Sequence, residues 1–278
     1  MKDIVVFYHG NCSTSDGFGG AYAAWKKFGA KADYIPMWHQ KPLPVIPRDK
    51  QVYFIDIVPS ERDLTKLQKT NRRVTAIDHH ISAEYLVKRT ENYSYALNHS
   101  GAVLAWEYFW GDKKIPRLLL NIEDVDLYKF KLAYTREVCA ILEMLPHDFK
   151  VWDKFVKRID NSGERKQAIA EGTLLLRYKN ALIENIIQDT ARPVLFQGVK
   201  TYAVNSPMFE TEIGNWLYPK HPPMAIIWYE RNDKRKFSLR SAKNFDVEKL
   251  AAKYGGGGHK RSAGFVMSLN KPLPWKEL

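Results

Sequence analysis

Cysteine is nearly absent from this sequence, and long hydrophobic segments are missing. Only Cys12 and Cys139 occur among the 278 residues, which is too few for a disulfide framework and fits a reducing compartment. No stretch approaches the ~18 uninterrupted apolar residues of a membrane span, and Met1–Ile4 does not begin a signal peptide. We therefore expect a cytoplasmic globular protein that does not act within a membrane.

Acidic residues are in the minority, with 31 Asp and Glu against 43 Lys and Arg, and the net charge is +12. This excess attracts polyanions such as nucleic acids or phosphorylated metabolites. The basic residues are dispersed along the chain, so the charge indicates a class of partner and does not locate a binding site. With 278 residues and an apolar fraction of 45%, the chain can form two domains, each with its own core.

Neither glycine fingerprint of the common nucleotide-binding folds is present, although a glycine-rich segment follows the first apolar run. Ile4–Tyr8 is typical of a strand buried on both faces of a parallel sheet, and it ends at His9. We predict a loop over Gly10–Gly20 and a helix over Ala21–Phe28. The order strand, loop and helix is typical of the first unit of an α/β fold.

Two later apolar runs repeat this pattern. The three predicted strands Ile4–Tyr8, Gln51–Ile55 and Val74–Ile77 are followed by His9, by Asp56 and by the triplet Asp78, His79 and His80. A polar loop explains this only in part, because the ionisable residue comes each time directly at the end of the run. In open α/β sheets, sites form beyond the carboxyl ends of the strands, so we expect these side chains to gather at one edge.

Further candidate ligands lie in an acidic segment. A helix predicted over Ile115–Asn121 runs into Glu123–Asp126, which we interpret as an acidic loop that can supply a metal ligand. Before it, Ser100 or Asn98 can cap a helix over Val103–Trp110.

The second half of the chain begins with a helical pattern from Thr135 to about Asp189 and then changes to short alternating runs typical of strands. Asn232-Asp233 predicts a hairpin turn between two of these strands. We therefore predict an α/β fold in which a parallel-sheet domain, residues 1–135, is joined by a helical connector, residues 136–190, to a smaller mixed-sheet α/β domain, residues 191–278.

Four consecutive glycines, Gly255–Gly258, stand before His259, Lys260 and Arg261. Glycine lets a backbone bring several N–H groups to one point, and the three basic side chains add positive charge. A flexible linker is the alternative, but such linkers rarely lie between a helix and a strand of one compact domain. We predict an anion nest that binds a phosphate.

Together these motifs resemble, over nearly the whole chain, the DHH phosphoesterase superfamily. The similar branch is the one in which a DHH-associated C-terminal domain follows the DHH domain, as in RecJ-like exonucleases and nano-RNase or cyclic-dinucleotide phosphodiesterases. Each motif alone is unspecific, whereas their order and spacing together are specific. The matching segments are His9–Gly17, Asp56, Asp78–His80 and Glu123–Asp126 in the first domain, and Ser238–Ser241 and Gly256–Gly264 in the second.

The resemblance implies a centre of two Mn²⁺ or Mg²⁺ ions that hydrolyses phosphodiesters. By position in the motifs, His9 is implied as a ligand of the first metal and Asp56 as the bridge between both. The implied ligands of the second metal are Asp16, His79 and either Asp124 or Asp126, with a slight preference for Asp124.

The resemblance also implies roles beside the metals. Asp78 would orient a ligand and His80 would face the substrate phosphate, so these two residues are the catalytic candidates. The candidate substrate-binding residues are Arg240, Gly256, Gly257, Gly258, His259 and Ser100.

One position departs from the family pattern. Thr14 stands where most members have a second carboxylate, and the segment around Cys12 is longer than in a related short form of the motif. The first metal site is therefore expected to be weak or differently filled.

The expected function is two-metal hydrolysis of short oligonucleotides or dinucleotides, cyclic dinucleotides included. The alternative is a non-catalytic or weakly catalytic nucleic-acid or nucleotide-binding protein with an eroded first metal site. The sequence leaves open the substrate length, the choice between RNA and DNA, and the oligomeric state, for which a dimer is one option.

Overall fold

The computed structural model describes residues 1–10, 15–39 and 41–278. These residues form two compact units, Met1–Leu176 and Arg177–Leu278. The predicted departure at Cys12 and Thr14 lies outside the described residues. Among the described residues, no helix has both the length and the hydrophobicity that crossing a membrane requires.

The first unit contains a five-stranded parallel sheet, as predicted. Its strands lie in the order β2-β1-β3-β4-β5, so the three strands that end in candidate ligands, β1, β3 and β4, are direct neighbours. The last strand was not predicted because its sequence, Asn-Tyr-Ser-Tyr, contains no apolar run. The strands are β1 (Ile4–His9), β2 (Ala32–Met37), β3 (Gln51–Ile55), β4 (Arg73–Asp78) and β5 (Asn92–Tyr95).

Eight α-helices lie in or begin in this unit of the described chain. They are α1 (Asp16–Phe28), α2 (Glu61–Thr70), α3 (Glu84–Lys88), α4 (Gly101–Trp110), α5 (Arg117–Asp126), α6 (Thr135–Leu142), α7 (Phe149–Asp160) and α8 (Ser162–Thr190), the last of which continues into the second unit.

Two helix boundaries differ from the predictions. Helix α1 begins at Asp16, inside the segment predicted as a loop, because residues 16–24 are all buried and packing outweighs the low helix propensity of their glycines. Helix α5 continues through Asp126, so the acidic residues predicted to lie in a loop form its last turns. Both differences change the direction in which candidate ligands point.

The core of the first unit extends beyond the predicted boundary at residue 135. Side chains of α6 and α7 pack into the same cluster as those of α1, α4 and α5, and Trp152 is fully buried there. The compact unit therefore continues to Leu176 and includes much of the segment that the sequence predicts as a connector.

The second unit contains a seven-stranded mixed sheet in the order β10-β11-β9-β8-β7-β6-β12, which confirms the predicted mixed α/β class. Only the β7–β8 pair is parallel among its described strand pairs. The predicted turn at Asn232-Asp233 joins β8 to β9. The elements are β6 (Arg192–Phe196), β7 (Val199–Asn205), α9 (Glu210–Leu217), β8 (Met224–Arg231), β9 (Lys234–Ser241), α10 (Glu248–Ala252), β10 (Gly257–His259), β11 (Ser262–Ser268) and β12 (Lys276–Glu277).

Candidate metal centre

Three neighbouring parallel strands of the first unit bring polar residues to one edge of the sheet. His9 is the last residue of β1, Asp56 directly follows β3, and Asp78 is the last residue of β4. Since parallel strands have their carboxyl ends at the same edge, the predicted gathering of these residues follows from the strand order.

Asp56 lies at the centre of this group. It is buried and has a φ of 60°, a left-handed backbone conformation that Asp tolerates better than most residues. Its Oδ1 atom is 3.2 Å from His79 Nε2 and 3.7 Å from His80 Nδ1, while its Oδ2 atom is 3.5 Å from His9 Nδ1. Both oxygens of one carboxylate therefore face imidazole nitrogens on different strands.

These contacts do not satisfy the buried polar atoms. Within the described part of the chain, neither oxygen of Asp56 has a hydrogen-bond partner, and neither does His79 Nε2. A buried carboxylate without hydrogen bonds is costly, so such a cluster calls for a cation. The donors here are carboxylate oxygens and imidazole nitrogens. They suit Mn²⁺ or Mg²⁺ better than the thiolate sulfurs of many zinc sites would. The residues present therefore fit divalent metal ions.

The described residues contain two sets of potential metal ligands, and within each set the ligand atoms lie within 4.8 Å of one another. His79 belongs to both sets, so the sets are adjacent. His9 belongs to neither set and approaches the centre only through Asp56. The first set consists of Asp56, Asp78, His79 and His80, and the second of Asp16, His79 and Asp126.

The neighbouring charges of this centre shift the pKa values of His79 and Asp56. Burial alone would lower the pKa of His79, but Asp56, Asp16 and Asp126 raise it to about 9. Burial alone would raise the pKa of Asp56, but the neighbouring His79 and His9 imidazoles hold it below its usual value. Without metal, a protonated His79 supplies part of the positive charge that the carboxylates require.

Asp16 is held by the N-terminus of α4. Its two oxygens accept hydrogen bonds from the backbone N–H groups of Gly101, at 2.7 Å, and Ala102, at 2.9 Å. Burial and the charges of Asp56 and Asp126 raise its pKa well above the usual value, whereas these donors favour the ionised form. Position 101 requires a glycine, because both aspartates lie close to its Cα. A Cβ there would lie 2.7 Å from Asp56 Cβ and 3.0 Å from Asp16 Oδ2. The sequence analysis did not identify Gly101 as part of the site.

Asp78 orients the two histidines that follow it. Its Oδ1 atom accepts hydrogen bonds from the backbone N–H groups of His79, at 2.7 Å, and His80, at 3.0 Å, and it lies 2.8 Å from His80 Nδ1. The hydrogen bond to Asp78 raises the pKa of His80. The His80 side chain is 41% exposed, so it can face a substrate while Asp78 holds its inner nitrogen.

The acidic end of α5 contributes Asp126 to the cluster, and not Asp124. Asp126 Oδ2 lies 3.5 Å from His79 Nε2. Asp124 instead accepts hydrogen bonds from Lys131 N, Leu132 N and the Thr135 hydroxyl. The preference for Asp124 is therefore reversed, because its oxygens are used to hold the segment that leads into α6.

His39 is a residue of this region that the sequence analysis missed. It follows β2, and its ring centroid lies 4.8 Å from that of His9 and 6.3 Å from that of His80. Burial, followed by the neighbouring His9 and His80, lowers the pKa of His39. The strand-end pattern that identified His9 also applies to His39, but β2 was interpreted as an edge strand and its end was not considered.

Ser100 does not fit the substrate-binding role proposed for it. The residue is fully buried and is the N-cap of α4, where its hydroxyl accepts a hydrogen bond from Val103 N. Its backbone N–H donates to Glu123 Oε2. This confirms the predicted helix cap and excludes contact of the Ser100 side chain with a substrate in this conformation.

In the second unit, Arg240 lies on β9, where its guanidinium donates to the Thr211 hydroxyl and to the Leu239 carbonyl. Burial lowers its pKa. The N–H group of Gly256 donates to the Ala251 carbonyl at the end of α10, so in this conformation that donor is already used and does not face an anion. The next three residues form the exposed edge strand β10, which pairs with β11: Gly257, Gly258 and His259. Their backbone is extended in the sheet and does not form a concave nest of N–H groups.

Comparison with known proteins supports the architecture. Residues 218–273 match the model of the DHHA1 domain family. A protein of Acanthamoeba polyphaga mimivirus, described as uncharacterized protein R106, is 31% identical over 302 residues, which cover 99% of this chain and 70% of the viral protein.

Two solved structures share the fold at low sequence identity. The pGpG-specific phosphodiesterase PggH from Vibrio cholerae superposes with a TM-score of 0.57 at 14% identity, covering 96% of this chain and 94% of that one. RecJ from Thermus thermophilus, solved in complex with Mn²⁺, superposes with a TM-score of 0.51 at 15% identity. This match covers 95% of this chain but 49% of RecJ. With a parallel-sheet unit, the Asp-His-His cluster and a DHHA1 match in the second unit, the chain belongs to the DHH phosphoesterase superfamily, in the branch with a DHHA1 C-terminal domain.

Proposed function

We propose that this protein is a metal-dependent phosphodiesterase that hydrolyses short oligonucleotides or dinucleotides, cyclic dinucleotides included. The observation that carries this proposal is the Asp56 carboxylate. Both of its oxygens are buried and lack hydrogen bonds within the described residues, and each faces an imidazole nitrogen at 3.2 to 3.5 Å. A ligand that bridges two ions needs both oxygens available in this way.

Our proposed assignment of the residues that would hold metal combines one ligand set with the contact between His9 and Asp56. Asp56, with the nearby His9, would contribute to one ion. Asp16, His79 and Asp126, which form one of the two ligand sets, would hold the other. Bound there, the ions supply an activated water near neutral pH and neutralise charge on the phosphoryl group.

The protein's own side chains would hold this arrangement and the substrate. Asp78 fixes His79 and His80 through its hydrogen bonds to their backbone N–H groups. His80, partly exposed and with its pKa raised by Asp78, is positioned to donate a hydrogen bond to a phosphate oxygen. Asp16, tied to the first turn of α4, keeps helix α1 beside the cluster.

The charge of the chain supports a polyanionic substrate. The net charge is +12, and Arg240 and His259 in the second unit are the side chains we propose for binding a phosphate or a terminal nucleotide. PggH, whose fold is similar, is a phosphodiesterase specific for pGpG. We therefore place short, phosphorylated dinucleotides first among the substrates to be tested.

The test is hydrolysis by Mn²⁺-loaded protein of three substrates: pGpG, a cyclic dinucleotide and a long single strand. We expect release of mononucleotides from at least one of the short substrates and no release in EDTA. Binding of all three without cleavage of any would contradict the proposal and favour the non-catalytic alternative.

A further inference from the structure

We propose that a cavity beside the metal centre binds a nucleobase, namely that of the nucleotide attached to the phosphate at the metals. This inference rests on the proposed function and specifies its substrate. The cavity has a volume of about 400 Å³ and lies wholly within the first unit. The segment after β2 and the segment between β3 and α2 line it, with Met37, Trp38, His39, Lys41, Val58 and Ser60 among the residues.

His39 connects this cavity to the metal centre. It lines the cavity, and its ring also packs against that of His9, with the centroids 4.8 Å apart. The His39 ring also approaches that of His80, with the centroids 6.3 Å apart. A phosphate facing His80 therefore lies one side chain away from the cavity, so the base of the same nucleotide can enter it.

Trp38 provides a surface on which a base can stack. Its indole is held against the backbone directly after His9, since a Cβ on Gly10 would lie 3.1 Å from indole carbons Cε2 and Cζ2. The residue nevertheless remains 37% exposed. Lys41 Nζ lies 5.3 Å from the ring centroid, and its backbone N–H donates to the Trp38 carbonyl, which holds the lysine beside the ring. An exposed indole with a neighbouring cation is a stacking site for any base.

The rest of the lining favours a base over a second phosphate. Met37, Leu43 and Val58 contribute apolar walls. Ser60 and Asp63 add polar side chains to the lining, and the Ser60 hydroxyl donates to Asp63 Oδ2 at 2.8 Å. A carboxylate repels a phosphate but accepts a hydrogen bond from a base N–H group, so the lining suits a neutral planar ring with polar edges.

The experiment compares Trp38→Ala with Trp38→Phe on two substrates, pGpG and a dinucleotide that lacks the base of its metal-proximal nucleotide. For Trp38→Ala we expect a rise in KM for pGpG of about tenfold, the scale of losing one stacking aromatic side chain, with little change in kcat. The abasic substrate should show no change, and Trp38→Phe should restore most of the affinity. Tyr93→Ala is the matched control, because Tyr93 is an exposed aromatic residue on β5, at the opposite edge of the same sheet.

Calorimetric binding of pGpG to the metal-free protein in EDTA separates this inference from the proposed function. If no substrate is cleaved but Trp38→Ala still weakens pGpG binding selectively, the base site stands and the phosphodiesterase proposal fails. If pGpG is cleaved with an unchanged KM in Trp38→Ala, or if the abasic substrate loses affinity equally, the base site is overturned. Absence of any pGpG binding to the metal-free protein also overturns it.

Discussion

Asp56 Oδ1 lies 3.2 Å from His79 Nε2, and neither atom has a hydrogen-bond partner among the residues that the structure describes. The two residues come from the ends of adjacent strands, β3 and β4, so the parallel sheet itself sets their separation. The carboxylate of Asp56 and the imidazole of His79 are therefore the central pair of the candidate metal centre, because these two atoms are close together and available to bind a metal ion.

Asp56→Asn should abolish the bridge while preserving the backbone, since Asn also tolerates the left-handed conformation at this position. We expect hydrolysis to fall by about 10³-fold or more, because metal-based charge stabilisation contributes several kcal/mol. The metal-free variant should unfold at a lower temperature at neutral pH, because the His79 and His9 imidazoles favour the ionised form of Asp56 in the folded protein and lose that partner. Steady-state kinetics and thermal unfolding measure the two effects. Turnover at the wild-type rate would disprove the proposed mechanism.

Asp126→Asn and Asp124→Asn form a matched pair on one helix. Asp126→Asn should weaken metal binding, because Asp126 is one of the potential ligands in the second set. Asp124→Asn should leave the bound metal unchanged but destabilise the protein by about 1–3 kcal/mol, because a single amide oxygen cannot satisfy three donors. Metal analysis after dialysis and thermal unfolding distinguish these outcomes. Loss of metal in Asp124→Asn alone would restore the preference for Asp124 that the sequence suggested.

Gly101→Ala should damage the site although Ala is the better helix former. The added methyl group would lie 2.7 Å from Asp56 Cβ and 3.0 Å from Asp16 Oδ2, so both carboxylates must move. We expect a loss of metal affinity of about 10- to 100-fold, as for other changes in the support of metal ligands. Gly163→Ala is the control, because its nearest contact would be Asn161 Oδ1 at 3.5 Å. Equal metal affinities for the two variants would contradict this account.

Mn²⁺ affinity should rise with pH. In the metal-free protein the pKa of His79 is raised to about 9, so the metal must displace a proton from the imidazole at neutral pH. The apparent affinity should increase about tenfold per pH unit up to about pH 9. The same raised pKa stabilises the metal-free fold fully below pH 6.5, and this contribution is lost as pH rises through about 9. Calorimetric titrations in buffers of different ionisation enthalpy would report the proton released; no release at pH 7 would contradict the prediction.

The first metal site should bind its ion weakly. By the family resemblance, Thr14 stands where most members have a carboxylate, so we expect one ligand charge to be missing. We expect dialysed protein to retain clearly fewer than two Mn²⁺ per chain. Elemental analysis measures this ratio, and a value close to two would refute the expectation.

Much of the candidate site could be predicted from sequence because its residues follow short apolar runs. His9, Asp56 and Asp78 each stand at a strand end, and parallel strands bring such ends together regardless of the details of packing. The fold class followed from the same runs and from the change to alternating patterns after residue 190. Asp78 accepts hydrogen bonds from the backbone N–H groups of both following residues, and its supporting role at a metal site stays a prediction.

Other features depended on contacts between distant segments. The choice of Asp126 over Asp124 follows from the helical continuation of α5 and from hydrogen bonds to residues 131–135, which spacing alone does not reveal. Packing of Gly101 against Asp16 and Asp56, and of His39 against His9, likewise joins residues that lie far apart in the chain. The sequence by itself determined which strands carry the candidate metal ligands, because a strand's composition is local. Only the tertiary structure decided which carboxylates point inward and what surrounds them, because side-chain direction depends on helix ends and on long-range packing.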